Sequence, residues 1–225
     1  MRFGYAAFGA RFQWAIGWLA LLLALSAHAQ PAPNPVPPPV PGDPPTVLVM
    51  GDSLSAGYGL DATQGWVPLT AARVARERPG WRVVNASISG ETSAGGASRI
   101  VGEVLRVKPA VVVIELGAND GLRGLPLADM RRNLARMIGV GQYAGAKVLL
   151  VGMRIPPNYG PEYTLGFERT YRDLAALFHV DFLPFLLEPV AANRANFQDD
   201  NLHPIAAAQP ALRDHVWKRL GPLLK

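Results

Sequence analysis

From Thr46 onward, short runs rich in β-branched and aliphatic residues alternate with longer segments whose apolar residues recur at helical spacing. The short runs are Val47 to Gly51, Arg82 to Ala86, Ala110 to Leu116, Lys147 to Met153, and a weaker one near Val180 to Pro184. Two helical stripes stand between them: Leu127, Met130, Leu134, Met137 and Ile138, then Tyr163, Phe167, Tyr171, Leu174 and Phe178. Both read as faces packed on a core. Alternation of this kind predicts an α/β fold built on a parallel sheet. Pro126 and Pro204 suit the first turn of a helix, where the missing N–H is no loss, so His203 is expected just before a C-terminal helix. There is no internal repeat and no Walker-type phosphate loop.

The first 45 residues of the 225 follow another pattern. Arg2 and Arg11 precede an apolar stretch from Trp14 to Leu25, and Ala27-His28-Ala29 then offers small residues at a cleavage point. Residues 1–29 are expected to be a signal peptide cut after Ala29. Export to the periplasm follows, with secretion or an uncleaved N-terminal anchor as alternatives. Residues 30–45 are dominated by proline and read as an extended linker, leaving 46–225 as one domain. Cysteine is absent, which excludes disulfides, thiolate metal sites, a cysteine nucleophile and lipoprotein acylation. Formal charge is +5, and loss of Arg2 and Arg11 with the leader leaves +3. The basic residues are scattered, so no nucleic-acid partner is expected, and contact with a membrane surface is expected only as a transient event.

Ser53 in Gly51-Asp52-Ser53-Leu54 follows the first apolar run, which puts its hydroxyl at the carboxyl edge of a strand, where open α/β sheets place their chemistry. A serine hydroxyl needs a neutral imidazole to accept its proton. His203 is the candidate, because His179 ends an apolar helical stripe and His215 lies inside the terminal helix. Asp200, three residues before His203, can pair with the imidazole Nδ1 and fix its tautomer. Asp199 competes for that role, and Asp200 could instead cap a helix beginning at Pro204. Gly90 follows the second run and Asn119 the third, so the N–H groups of Ser53 and Gly90 and the Asn119 amide are candidate oxyanion donors. For Gly90 and Asn119 a plain turn role competes. Asp52 is expected to tie down the strand-to-helix turn rather than move protons. These residues together imply a serine hydrolase.

Four ordered blocks carry a resemblance over essentially Thr46 to the C-terminus. They are Met50 to Tyr58, Val84 to Ser93, Glu115 to Gly124, and Asp199 to Pro204. In them the chain resembles the GDSL or SGNH hydrolases, most closely the branch of bacterial periplasmic thioesterase I, arylesterase and lysophospholipase. The resemblance implies a three-layer α/β/α sandwich with a flavodoxin-like, mainly parallel five-stranded sheet. It implies Ser53 as nucleophile and oxyanion donor, Gly90 and Asn119 as further donors, Asp200 and His203 as the rest of the triad, and no metal or cofactor. Leu122 to Leu125 and Arg154 to Gly160 resemble the branch's substrate-side loops, so Leu122, Leu125 and Ile155 are expected to contact an acyl chain. The chain departs from the pattern in its proline-rich leader and at Asn201, where close relatives often have Gly. Ser55 replaces the last Gly of the Gly-x-Ser-x-Gly elbow, which disfavours the α/β-hydrolase fold.

The expected activity is hydrolysis of aryl esters, acyl thioesters or lysophospholipids by a monomer. Three rivals remain: a carbohydrate O-deacetylase with the same triad, a non-catalytic envelope-binding module, and a metal phosphoesterase using Asp52, Asp120 and Asp200.

Overall fold

The computed structural model describes residues 43–225; the expected signal peptide and most of the proline-rich linker lie outside them. Five parallel strands form one sheet: β1 (Thr46–Gly51), β2 (Arg82–Asn85), β3 (Val111–Glu115), β4 (Lys147–Val151) and β5 (Asp181–Leu183), in the order β2-β1-β3-β4-β5. Each falls within or beside one of the five apolar runs. Every residue of β1 and β3 is buried, which is why these strands read as continuous apolar runs rather than alternating ones. Edge strand β2 is only partly covered.

The helices are α1 (Ser53–Ala56), α2 (Trp66–Glu77), α3 (Ser93–Val107), α4 (Ala118–Leu122), α5 (Leu127–Tyr143), α6 (Pro161–Phe178) and α7 (Gln209–Leu220). Helices α3, α5 and α6 pack side by side on one face, and α2 and α7 pair on the other. Right-handed crossovers explain the split: the chain leaves β1 in one direction through α2 and crosses the sheet in the other through α3, α5 and α6. The reversal lies between β1 and β3, the switch point at which doubly wound sheets open a crevice. This is the three-layer, flavodoxin-like arrangement expected.

Both helical stripes are core faces. Met130, Leu134, Met137 and Ile138 of α5 and Phe167 and Leu174 of α6 are fully buried, and Tyr171 nearly so. The Tyr171 hydroxyl donates to the Leu116 carbonyl at 3.0 Å, so one core side chain also fixes the turn that leads to Asn119. Gly117 is required there, because its φ is 118° and a Cβ would collide with the Tyr171 hydroxyl.

The two prolines sit differently from expectation. Pro126 occupies the N-cap of α5, where its carbonyl accepts from Asp129 and Met130. Pro204 is in an antiparallel bridge with Phe197, and its carbonyl accepts from the Gln209 side chain at 3.2 Å. That bridge holds the chain extended, so α7 begins at Gln209 after a 3₁₀ turn, Ala206–Ala208, with Pro210 in its first turn.

Two glycines of α3 give a paired test of this packing. A Cβ on Gly96 would strike Leu116 and Met137, whereas one on Gly102 meets nothing within 4 Å. Gly96→Ala should lower unfolding stability by about 1–3 kcal/mol, and Gly102→Ala should raise it by about 0.4–1 kcal/mol. Urea denaturation measures both; equal effects would contradict the packing.

Candidate active site

Ser53 opens α1 directly after β1. Asp52 is the N-cap, accepting from the Leu54 N–H at 3.0 Å, and Gly57 ends the turn in the left-handed region. Asp52 thus ties down the turn, as its position suggested. The turn is joined to the loop after β2 by Asn85, whose side chain donates to the Ser55 carbonyl at 2.9 Å, and by Ile88, whose N–H donates to the Gly51 carbonyl at 3.0 Å.

The other half of the site is the loop from Phe197 to Pro204. Asp200 Oδ1 accepts from the N–H groups of Leu202 (2.9 Å) and His203 (3.0 Å), a local turn that brings the carboxylate round to its own histidine. Asp200 Oδ2 lies 2.6 Å from His203 Nδ1, and His203 Nε2 lies 2.8 Å from Ser53 Oγ. The serine, imidazole and carboxylate chosen from the sequence are therefore in continuous contact. Asp199 takes no part in this relay. Asn201 has a φ of 61°, a conformation natural to Gly and better tolerated by Asn than by most residues, so its departure from the family pattern leaves the turn intact.

His203 is anchored from the nucleophile's side of the molecule as well. Gln209, buried, accepts the Trp66 N–H at 2.9 Å and donates to the Pro204 carbonyl, bridging the start of α2 to the residue after the histidine. No sequence signal marked Gln209, since its two partners are brought together only by the fold.

Asn119 Nδ2 lies 3.2 Å from Asp52 Oδ2 and 3.1 Å from the Glu91 carbonyl. Ser53 and Asn119 line the same cleft; Gly90 is not in its lining. Gly90 has a φ of 78° and its carbonyl accepts from Arg123 at 3.0 Å, while neighbouring Glu91 is ion-paired with Arg99, which also holds the Ala86 carbonyl at 2.8 Å. The cleft has a volume of about 510 Å³ and is walled by Leu54, Leu122, Met153, Ile155, Phe185, Leu187, Phe197 and Leu202. Leu122 and Ile155 are thus placed as expected. Leu125 is not: it lies outside the cleft, on a turn pinned by the Tyr163 hydroxyl to its carbonyl at 2.6 Å and by its own N–H to Asp120.

Beneath the nucleophile turn is a group that sequence reading passed over. Ser55 donates to Glu115 Oε2 at 2.6 Å, with both residues buried. Burial, reinforced by the nearby Asp52 charge, raises the Glu115 carboxyl well above the ordinary range. Burial likewise raises Asp52 to about 6 against the pull of the Leu54 N–H, His203 and Asn119. Asp200 is the reverse: its slight burial is outweighed by the backbone and ring N–H groups of His203 and the N–H of Leu202, which hold it down at about 2.

Asp120 accepts from Ser93 through both oxygens, at 2.6 and 2.7 Å, at the start of α3. Asp52, Asp120 and Asp200 are therefore committed to different partners, and among the described residues no group of three or more His, Asp or Glu side chains is arranged to hold a metal ion.

A parallel α/β sheet with a Ser–His–Asp relay at its carboxyl edge defines the structural class. Comparison with known proteins narrows it: the GDSL-like lipase/acylhydrolase family model matches residues 49–210, and the chain belongs to that family. It is 52% identical over 179 residues to esterase TesA of Pseudomonas aeruginosa, covering 80% of this chain and 89% of that one. It is 40% identical over 179 residues to thioesterase 1/protease 1/lysophospholipase L1 of Escherichia coli, covering 80% and 85%. The crystal structure of TesA superposes with a TM-score of 0.77 at 52% identity, covering 79% of this chain and 99% of that one.

The opposed carboxyl shifts predict opposed pH effects. An acid whose pKa rises on folding holds its proton more tightly when folded, so Asp52 stabilises the protein as pH falls from about 6 towards 4. Asp200, with a lowered pKa, contributes fully above about pH 4, and that contribution fades as pH falls towards 2. Asp52→Asn should flatten the stability profile between pH 4 and 6. Urea unfolding across this range checks it, and an unchanged slope would contradict the assignment.

Proposed function

We propose that this chain is an exported serine esterase that hydrolyses carboxylic esters or thioesters through an acyl-Ser53 intermediate, with aryl esters, acyl thioesters and lysophospholipids as its substrate class. The observation that carries this reading is the relay of 2.6 and 2.8 Å bonds from Asp200 through His203 to Ser53, opening onto an apolar cleft. The activities named for the similar proteins support it. Export to the periplasm is supported by the N-terminal pattern of Arg2, Arg11, the apolar stretch and Ala27-His28-Ala29.

In acylation, His203 Nε2 takes the Ser53 proton as Oγ attacks the ester carbonyl. Asp200 holds the proton on Nδ1 and faces the imidazolium that forms. The imidazolium then protonates the leaving alcohol or thiol, and the acyl group stays on Ser53. A water then gives a proton to His203 Nε2 and attacks the acyl carbon; as the bond from the acyl carbon to Oγ breaks, the imidazolium returns that proton to Ser53 Oγ, and the acid product departs. Of the oxyanion donors in this reading, the Ser53 N–H and the Asn119 amide belong to residues that line the cleft, whereas the Gly90 N–H lies outside that lining, one residue before the Glu91 carbonyl that holds the Asn119 amide. Asn119 donates a hydrogen bond to the oxyanion by redirecting the N–H that makes its 3.2 Å bond to Asp52, while the bond to the Glu91 carbonyl keeps the amide in place.

The apolar walls favour an acyl chain over an acetylated sugar. Hydrolysis of p-nitrophenyl esters should therefore rise from acetyl to octanoyl and fall at least about a thousandfold in Ser53→Ala. Asn119→Ala should lower kcat about 10²–10³-fold with little change in KM. Activity confined to acetyl esters, with acetate released from glycans, would overturn the substrate class. Full activity in Ser53→Ala would overturn the mechanism.

A further inference from the structure

Tyr58 is 54% exposed, a large ring left in solvent beside the imidazole. Its centroid lies 4.7 Å from that of His203, with the planes at 42°. This is contact range for an aromatic pair and, once the imidazole carries a proton, for a cation against a ring face. Its hydroxyl makes no hydrogen bond among the described residues, and Tyr58 does not line the cleft.

The turn is built to hold the ring there. Gly57 and Gly59 flank Tyr58 with φ of 78° and 75°, and a Cβ on Gly59 would strike the Gln198 side-chain amide. That close approach lets Gln198 Nε2 donate to the Tyr58 carbonyl at 2.9 Å. The backbone N–H of Gln198 donates in turn to the His203 carbonyl at 2.8 Å. One residue thus fastens the Tyr58 turn to the loop that carries the imidazole.

We propose that Tyr58 is a positioning residue for His203: its ring covers one face of the imidazole, fixes that plane for the bonds to Ser53 and Asp200, and stabilises the imidazolium formed when Ser53 gives up its proton. Asp200 supplies the anionic partner at Nδ1 from the histidine's own loop, and Asp52 adds a second carboxylate field from the end of β1. Neither offers a surface against the ring face. The inference rests on the hydrolase reading above and acts only through His203. Because the hydroxyl bonds to none of the described residues, the work is assigned to the aromatic ring, 4.7 Å from the imidazole.

Steady-state kinetics of the full chain on p-nitrophenyl acetate and octanoate test this with Tyr58→Leu and Tyr58→Phe. Tyr58→Leu should lower kcat about tenfold on both esters, with KM within twofold and an unchanged melting temperature. Tyr58→Phe should restore kcat to within twofold of the parent. An unchanged kcat in Tyr58→Leu would overturn the proposal. So would a defect carried by KM that grows with acyl length, which would make Tyr58 a wall of the substrate site, or a loss that Phe does not rescue. Ser53→Ala, assayed alongside, is the separate check on the parent reading: residual full hydrolysis there would reject the acyl-serine mechanism whatever the Tyr58 variants do.

Discussion

A 2.8 Å bond between Ser53 and His203, residues 150 positions apart, persists only if two loops are each held to within a fraction of an ångström. A displacement of about 1 Å can lower an enzymatic rate about a hundredfold. Rigidity is supplied here from opposite directions. The nucleophile turn stands on β1, an interior strand buried along its whole length between β2 and β3, and is closed by Asp52 and Gly57. The histidine loop has no strand beneath it and is instead closed on itself by the Phe197–Pro204 bridge and the Asp200 turn. Gln209 then joins the two halves, because one buried side-chain amide satisfies the Trp66 N–H and the Pro204 carbonyl at once.

The three acidic side chains near the nucleophile turn differ through environment alone. Asp200 is only partly exposed, but it accepts two backbone N–H groups and pairs with the imidazole, so it stays an anion and can balance the positive charge that forms on His203. Asp52 and Glu115 are buried, and burial favours their neutral forms. Glu115 then serves the turn through Ser55, and Asp52 through Leu54 and Asn119.

The strands were legible because parallel strands covered on both faces are apolar along most of their length, and β1, β3 and β4 declare themselves by that alone, with Thr46, Glu115 and Lys147 only at their ends. The helical stripes were legible for the same reason, since α5 and α6 each offer one face to the sheet. Ser53, Asp200 and His203 could be read from chemistry and from their places at strand ends or in one short loop. What resisted reading depends on contacts between distant positions: Ser55 with Glu115, Gln209 with Trp66, and Gln198 with the Tyr58 turn leave no local pattern. Leu125 shows the same limit, as an apolar loop residue does not declare which way its turn is pinned. Pro204 was misplaced because its pattern fits a helix start as well as a bridged extended segment, and only the pairing with Phe197 decides between them.

The central claim is that Ser53 is a nucleophile activated by His203. It is tested most directly by reacting the protein with a fluorophosphonate and mapping the adduct by peptide mass spectrometry. The account predicts one stoichiometric adduct on Ser53, absent in Ser53→Ala and formed far more slowly in His203→Ala. An adduct on another residue, or catalytically active protein that takes up no label, would contradict it.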